Sequence, residues 1–169
     1  MPIICLIAIF VRFTSVGPIL HWSSRVGRNN KLFKMPKFRS MIVCTPQVAT
    51  HLFTSVSSYL TPIGSFLRAT SLDELPQLWS ILVGDMAFVG PRPALFNQYD
   101  LVELRTRNGL EGLTPGITGW AQINGRDEID IISKVALEIE YFKKRSLWFD
   151  LKILSITFFK VIQRTNIAH

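Results

Sequence analysis

Two adjacent carboxylates are the residues best suited to chemistry in this sequence. Asp73 and Glu74 lie five and six residues after Arg68, where a helix is predicted to start. Ser71 and Glu74 match a capping box. Alternatively, Asp73 is the N-cap, which would place Pro76 in the first turn, where its missing N–H costs no hydrogen bond. In both cases the helix dipole and Arg68 favour ionised carboxylates. An ionised Asp73 could act as a nucleophile, and a simple helix cap is the alternative.

Three cations elsewhere in the chain have the side-chain chemistry to bind phosphate. Arg92 lies between two prolines, which stiffen the backbone around a guanidinium suited to phosphate or carboxylate; a surface turn is the alternative. A strand is predicted from Leu32 to Met41, with Lys37 and Arg39 on one face. These two could bind phosphate oxygens or form a solvated strand face.

A glycine-rich segment, residues 115–126, fits neither the P-loop nor the dinucleotide-binding fingerprint. Trp120 within it could stack on a base, although a tryptophan in the core is the commoner case. A helix is predicted over 131–142, where Lys134 and Glu138 are spaced to form a charged pair on the helix surface.

The elements that must position these residues include apolar segments at both ends of the chain. Residues 3–11 are continuously apolar but far short of the roughly 20 residues that span a bilayer. They form either a buried core segment or a piece that enters the membrane without crossing it. Residues 147–161 show a wide apolar surface with a basic edge, which suits an interfacial helix or a core-packing amphipathic helix.

Composition limits the class of protein. The chain has 169 residues, 48% apolar and 18% charged, which fits one folded domain and excludes a disordered chain. Two cysteines are too few for a disulfide framework, and three scattered histidines do not suggest a zinc site. All eight charged residues in the first 72 positions are Lys or Arg, within a net charge of +7. This asymmetry indicates an anionic partner: nucleic acid, a phosphate-rich substrate or a membrane surface.

Taken together, the motifs resemble those of the bacterial sugar transferases called monotopic phosphoglycosyl transferases. The resemblance covers essentially the whole chain. It rests on KFRSM (37–41), LRATSLDELPQLW (67–79), GDMAFVGPRP (84–93) and PGITGWAQINGR (115–126), followed by Lys134, Tyr141 and Asp150.

The resemblance implies an enzyme that transfers a sugar 1-phosphate from a UDP-sugar to undecaprenyl phosphate and releases UMP. Such a reaction initiates O-antigen, capsule or glycoconjugate synthesis. By the same resemblance, Asp73 is the nucleophile that forms a covalent phosphosugar intermediate, Glu74 helps to hold Mg²⁺, and Arg92 binds substrate phosphate. The weaker assignments are further phosphate contacts from Arg68, Lys37 and Arg39, and nucleotide contacts from Gly125 and Arg126.

The resemblance also implies a small mixed α/β (α+β) domain with interfacial helices, on the cytoplasmic face of a bacterial inner membrane. Met1-Pro2 stands where the family's re-entrant helix bends. We therefore expect residues 1–13 to be a membrane-inserted remnant of that helix, without its incoming half, and residues 14–169 to be the catalytic domain.

Three other functions were weighed. A truncated, non-catalytic, membrane-associated member of the family is the main alternative. A nucleic-acid binder is disfavoured because no nucleic-acid motif accompanies the basic residues. A glycosidase is disfavoured because neighbouring residues diverge by about 100° on a helix and therefore do not flank a bond.

Overall fold

The computed structural model describes residues 2–43, 45, 57–125 and 129–163. Over these residues it confirms the predicted mixed α/β class. The α-helices are α1 (Pro2–Thr14), α2 (Gly64–Ala69), α3 (Leu78–Leu82), α4 (Tyr99–Arg107), α5 (Trp120–Ile123), α6 (Ile131–Lys144) and α7 (Leu147–Gln163). The strands are β1 (Leu20–Val26), β2 (Leu32–Phe38), β3 (Ala87–Val89), β4 (Ala94–Leu95) and β5 (Gly116–Thr118). A 3₁₀ helix, Leu72–Gln77, leads directly into α3.

The first sheet has the strand order β2-β1-β4, and both pairings are antiparallel. Pro36, which has no backbone N–H, lies in the edge strand β2, where a missing donor is tolerated. The strand predicted from Leu32 to Met41 is shorter than expected, because β2 ends at Phe38. Beyond it the chain turns toward residues 60–61, and Met41 forms only an isolated bridge with Leu60.

The second sheet pairs β3 with β5 in parallel. The two backbones approach so closely that side chains would not fit between them. A Cβ on Gly116 would collide with the backbone nitrogen of Gly90, and one on Gly119 with the carbonyl oxygen of Gly90. The glycine-rich segment therefore allows β5 to pack against the chain just before Arg92.

The larger core lies between the sheets and the C-terminal helices. Its buried members are Val89, Ala94, Leu101, Leu110, Leu113, Ile123, Val135, Tyr141 and Ile153. Trp120 packs against this core, 5.0 Å from Phe149 between ring centroids, and its Nε1 donates to Glu140 Oε2 at 2.8 Å. Trp120 thus has the contacts of a core tryptophan.

The two apolar ends of the chain are each half packed and half exposed. In α1, Ile7 and Val11 are buried against Phe38 and Leu67, while the opposite face, including Phe13, is exposed. In α7, Ile153 is buried, whereas Trp148, Phe158 and Phe159 are exposed. Over the described ranges, none of the helices is long and apolar enough to cross a membrane.

Candidate active site

Asp73 and Glu74 lie in the first turn of the 3₁₀ helix, as predicted, but neither proposed cap forms. Ser71 occupies the N-cap position with φ of 56° and makes no side-chain capping hydrogen bond. Its left-handed backbone differs from the extended conformation of a usual N-cap residue. Asp73 lies inside the helix and is only 7% exposed. The structure therefore removes the cap as an explanation for Asp73.

Glu74 joins three segments of the chain. Its Oε1 accepts a hydrogen bond from Lys37 Nζ at 2.8 Å and another from Arg92 Nη2 at 3.2 Å. Lys37 comes from the end of β2, and Arg92 from the turn between β3 and β4. The 3₁₀ helix packs directly on β2, which brings Lys37 to the carboxylate.

Burial dominates the electrostatics of Asp73. Desolvation raises the pKa of its carboxyl group, the neighbouring Glu74 charge raises it further, and Lys37, Arg68 and Arg92 oppose the rise without cancelling it. The expectation that Arg68 and the helix dipole would favour ionisation is therefore wrong in net direction, because loss of hydration outweighs the cations. Burial likewise lowers the pKa of Lys37, despite the attraction of Glu74.

The group carries an excess of positive charge. Lys37, Arg68 and Arg92 act on the Asp73 charge, and Arg25 acts on Lys37 from the neighbouring strand β1. Four cations around two carboxylates leave a formal excess of two positive charges. Such a group is suited to an anionic ligand, and guanidinium groups suit phosphate oxygens in particular.

The remaining predicted site residues lie elsewhere or outside the described residues. Arg39 is buried and donates through Nη2 to the carbonyl oxygen of Ser15 at 2.8 Å and to its Oγ at 2.6 Å, at the end of α1. Gly125 follows α5 with φ of 153°, a conformation that favours glycine. Arg126 lies outside the described residues. The structure thus brings together Lys37, Arg68, Asp73, Glu74 and Arg92.

Two further motif residues join α6 to its neighbours. Glu138 is buried and pairs with Arg105 of α4, so it does not form the surface pair with Lys134 that their spacing allows. Tyr141 donates its hydroxyl hydrogen bond to Asp150 Oδ1 at 2.9 Å, which ties α6 to α7. Burial and that hydrogen bond raise the pKa of Tyr141. The sequence analysis missed both Arg25 and Arg105, because their partners are distant in sequence and no local spacing marks them.

The donor set was also compared with what Mg²⁺ requires. Across the part of the chain that the structure describes, no three His, Cys, Asp or Glu side chains gather into a metal site. Mg²⁺ often needs only one or two carboxylates when substrate phosphates supply further ligands. Asp73 and Glu74 meet that smaller requirement.

Known proteins resemble this chain over most of its length. The model of the bacterial sugar transferase family matches residues 1–164. The chain is 43% identical over 173 residues to the UDP-glucose:undecaprenyl-phosphate glucose-1-phosphate transferase of Escherichia coli, covering 94% of this chain and 36% of that protein. It is 37% identical over 180 residues to the undecaprenyl-phosphate glucose phosphotransferase of Komagataeibacter xylinus, covering 98% and 33%. The uncharacterized sugar transferase EpsL of Bacillus subtilis is 40% identical over 161 residues, covering 92% and 78%.

The cluster of carboxylates and cations lies in a mixed α/β domain, and the family model matches nearly the whole chain. The chain belongs to the bacterial sugar transferase family. It spans about a third of the length of the first two curated relatives and most of the length of EpsL.

Proposed function

We propose that this protein transfers a sugar 1-phosphate from a UDP-sugar to undecaprenyl phosphate and releases UMP. The observation that carries the proposal is a buried Asp73 beside a Glu74 held between Lys37 and Arg92. Family membership and the names of relatives, which are undecaprenyl-phosphate glucose or galactose transferases, support the same reaction. The product would begin a surface polysaccharide such as O-antigen or capsule, or another glycoconjugate.

In the first step, an ionised Asp73 oxygen attacks the phosphorus that carries the sugar. A new bond forms between that oxygen and phosphorus, the bond from phosphorus to the UMP oxygen breaks, and UMP leaves with its electron pair. Arg92, Lys37 and Arg68 bind the phosphate oxygens and offset their charge while the bonds change. Burial keeps water away from the resulting aspartyl phosphosugar.

In the second step, a phosphate oxygen of undecaprenyl phosphate attacks the same phosphorus. The bond to Asp73 breaks, its carboxylate is regenerated, and the undecaprenyl diphosphate sugar leaves. Burial raises the pKa of the Asp73 carboxyl group, so the attack draws on the deprotonated form of that group. The charges of Lys37, Arg68 and Arg92 oppose that rise, because a nearby cation favours the ionised carboxylate.

Glu74, with Asp73 beside it, would hold Mg²⁺ through carboxylate oxygen when the diphosphate of the donor is present. A bound Mg²⁺ supplies charge neutralisation at the phosphates. Glu74 already contacts Lys37 and Arg92, so these cations keep its carboxylate aimed at the place where the donor phosphates bind.

We further propose that the domain lies on the cytoplasmic face of the bacterial inner membrane. The exposed apolar faces of α1 and α7 would enter the lipid interface, with residues 1–13 inserted and residues 14–169 forming the catalytic domain. Arg12 at the end of α1 and Lys152 on α7 lie beside these faces, where they suit anionic lipid headgroups.

The test is UMP release by purified protein in detergent with Mg²⁺, undecaprenyl phosphate and a panel of UDP-sugars. Asp73→Asn is expected to lose about 10⁴-fold or more of the rate, the scale seen when a nucleophile is removed. Asp100→Asn is the matched control, since Asp100 is an exposed acid in the first turn of α4. Its rate should equal that of the wild type.

Intact mass spectrometry tests the covalent step separately. Wild-type protein incubated with the active UDP-sugar, without lipid acceptor, should gain the mass of one phosphosugar, and Asp73→Asn should not. Release of UMP by Asp73→Asn at the wild-type rate would overturn the role of Asp73. A folded wild-type protein that releases no UMP from any sugar would overturn the proposed function and favour a non-catalytic family member.

A further inference from the structure

Three consecutive backbone carbonyl groups tie the turn that carries Arg92 to neighbouring elements. Pro91 and Pro93 have no backbone N–H, so this segment has few backbone donors for hydrogen bonds to neighbouring elements. All three consecutive carbonyl oxygens instead accept hydrogen bonds from different elements. Gly116 N donates to Pro91 at 2.9 Å, Arg105 Nη2 to Arg92 at 3.0 Å and Arg25 Nη1 to Pro93 at 3.2 Å.

Of these three donors, Arg105 is the most firmly fixed side chain. Its Nε donates to Glu138 Oε2 at 2.8 Å and its Nη2 to Glu138 Oε1 at 2.5 Å, a two-pronged pair between α4 and α6. Glu138 is only 2% exposed and the Arg105 side chain 12%. A planar guanidinium held in this way has a fixed orientation, which directs the second N–H of its Nη2 at the Arg92 carbonyl oxygen.

The Arg92 residue links this buried pair to the site. Its backbone carbonyl is bound by Arg105, while its own guanidinium reaches Glu74 Oε1 at 3.2 Å. Arg105 itself contacts the turn and Glu138 rather than the Asp73 carboxylate. A shift of the Arg92 backbone would move the start of a long side chain, and therefore the position of its guanidinium.

We propose that Arg105 and Glu138 are positioning residues that fix the Pro91–Pro93 turn and so aim Arg92 at the phosphates of the sugar donor. This inference rests on the proposed function, since it takes Arg92 to bind donor phosphate. Helix α4 offers a matched control in Arg107, which pairs with Glu103 on the surface through Nη2 and Oε1 at 2.5 Å and is far from the turn in its contacts.

The kinetic test compares Arg105→Lys with Arg107→Lys in the UMP-release assay. Arg105→Lys keeps the charge but loses the fork, and we expect kcat/KM for the UDP-sugar to fall about 10- to 100-fold, the scale of a small misplacement of a reacting group. Arg107→Lys should match the wild type. Wild-type kinetics in Arg105→Lys would overturn the inference.

A double-mutant cycle separates positioning from general damage. If Arg105 acts through Arg92, Arg105→Lys should lose most of its effect when Arg92→Gln is already present. A full additive loss in that background would overturn the inference. If Arg105→Lys folds poorly, Glu138→Asp is a milder variant, because it keeps the carboxylate on a shorter side chain. Its effect is expected to depend on Arg92 in the same way.

Hydrogen exchange gives a readout that does not depend on activity. Backbone amides of peptides that cover residues 84–95 should exchange faster in Arg105→Lys than in Arg107→Lys, with peptides of α7 unchanged. Equal exchange in the two variants would overturn the inference even if the protein is an active transferase. If exchange is faster but the protein releases no UMP, Arg105 still fixes the turn, and only the proposed function is overturned.

Discussion

Two groups of carboxylates and cations lie on either side of the Arg92 turn, and they differ in charge balance and in exposure to solvent. In the first group, Lys37 and Arg92 contact Glu74, and together with Arg68 they act on the charge of Asp73. Arg25 adds a further cation beside Lys37, and the Arg92 side chain is 29% exposed. The Arg105–Glu138 pair has one charge of each sign, and both side chains are nearly inaccessible. The first group has an excess of positive charge that an anionic ligand could neutralise. In the second group, the charges of Arg105 and Glu138 balance each other. An unbalanced, partly open group suits binding, and a balanced, buried pair suits support.

Breaking the buried pair should give the largest change in stability. Glu138→Gln leaves the Arg105 charge without a carboxylate partner, and we expect the free energy of unfolding to fall by about 3–5 kcal/mol. Chemical denaturation in detergent measures it. Glu103→Gln removes the carboxylate from an exposed pair with Arg107 on α4, the helix that also carries Arg105, and should cost less than about 1 kcal/mol. Equal costs would contradict the distinction between the two groups.

Changing the open group should affect activity more than stability. Arg92→Gln removes a cation from the group that we propose to bind donor phosphate, and we expect kcat/KM to fall about 10²- to 10³-fold, as when one transition-state donor is removed. The unfolding midpoint should stay near that of the wild type, because the Arg92 side chain is partly exposed and Lys37 still pairs with Glu74. A large loss of stability with unchanged kinetics would reverse the comparison.

The pH dependence of the open group should run in opposite directions for rate and stability. Burial raises the pKa of Asp73 above its ordinary value of 3.8, so UMP release should decline on acidification at a pH above that value. The folded state binds the proton more tightly than the unfolded state, so the contribution of Asp73 to stability should increase as pH falls through the same window. Asp73→Asn should lack this increase, which unfolding at several pH values measures.

A smaller effect is expected at Trp120, which belongs to neither group. Trp120→Phe removes the hydrogen bond from Nε1 to Glu140 but keeps an aromatic ring against Phe149. We expect a loss of about 1 kcal/mol in unfolding free energy and no change in KM for the UDP-sugar. A large increase in KM would instead favour base stacking by this residue.

Local patterns were sufficient where the determining contacts are local. The 131–142 periodicity predicted α6, and the Asp-Glu pair was correctly expected at the start of a helical turn. Local patterns failed where the partner of a residue lies far away along the sequence. The spacing of Lys134 and Glu138 allows a surface pair four residues apart, yet Glu138 pairs with Arg105 on another helix. Arg39 was grouped with Lys37 by alternation, yet β2 ends between them and Arg39 turns toward Ser15.

By itself, the sequence determined the mixed α/β class and the family, because motif order and residue type are written along the chain. It also singled out Asp73, Glu74 and Arg92 as candidate site residues, and their roles remain proposals. Only the tertiary structure decided that Asp73 is buried, that Lys37 and Arg92 meet on one oxygen of Glu74, and that Arg105 holds the turn. Burial and desolvation depend on what surrounds a residue in three dimensions. For that reason the direction of the Asp73 pKa shift could not be obtained from its sequence neighbours.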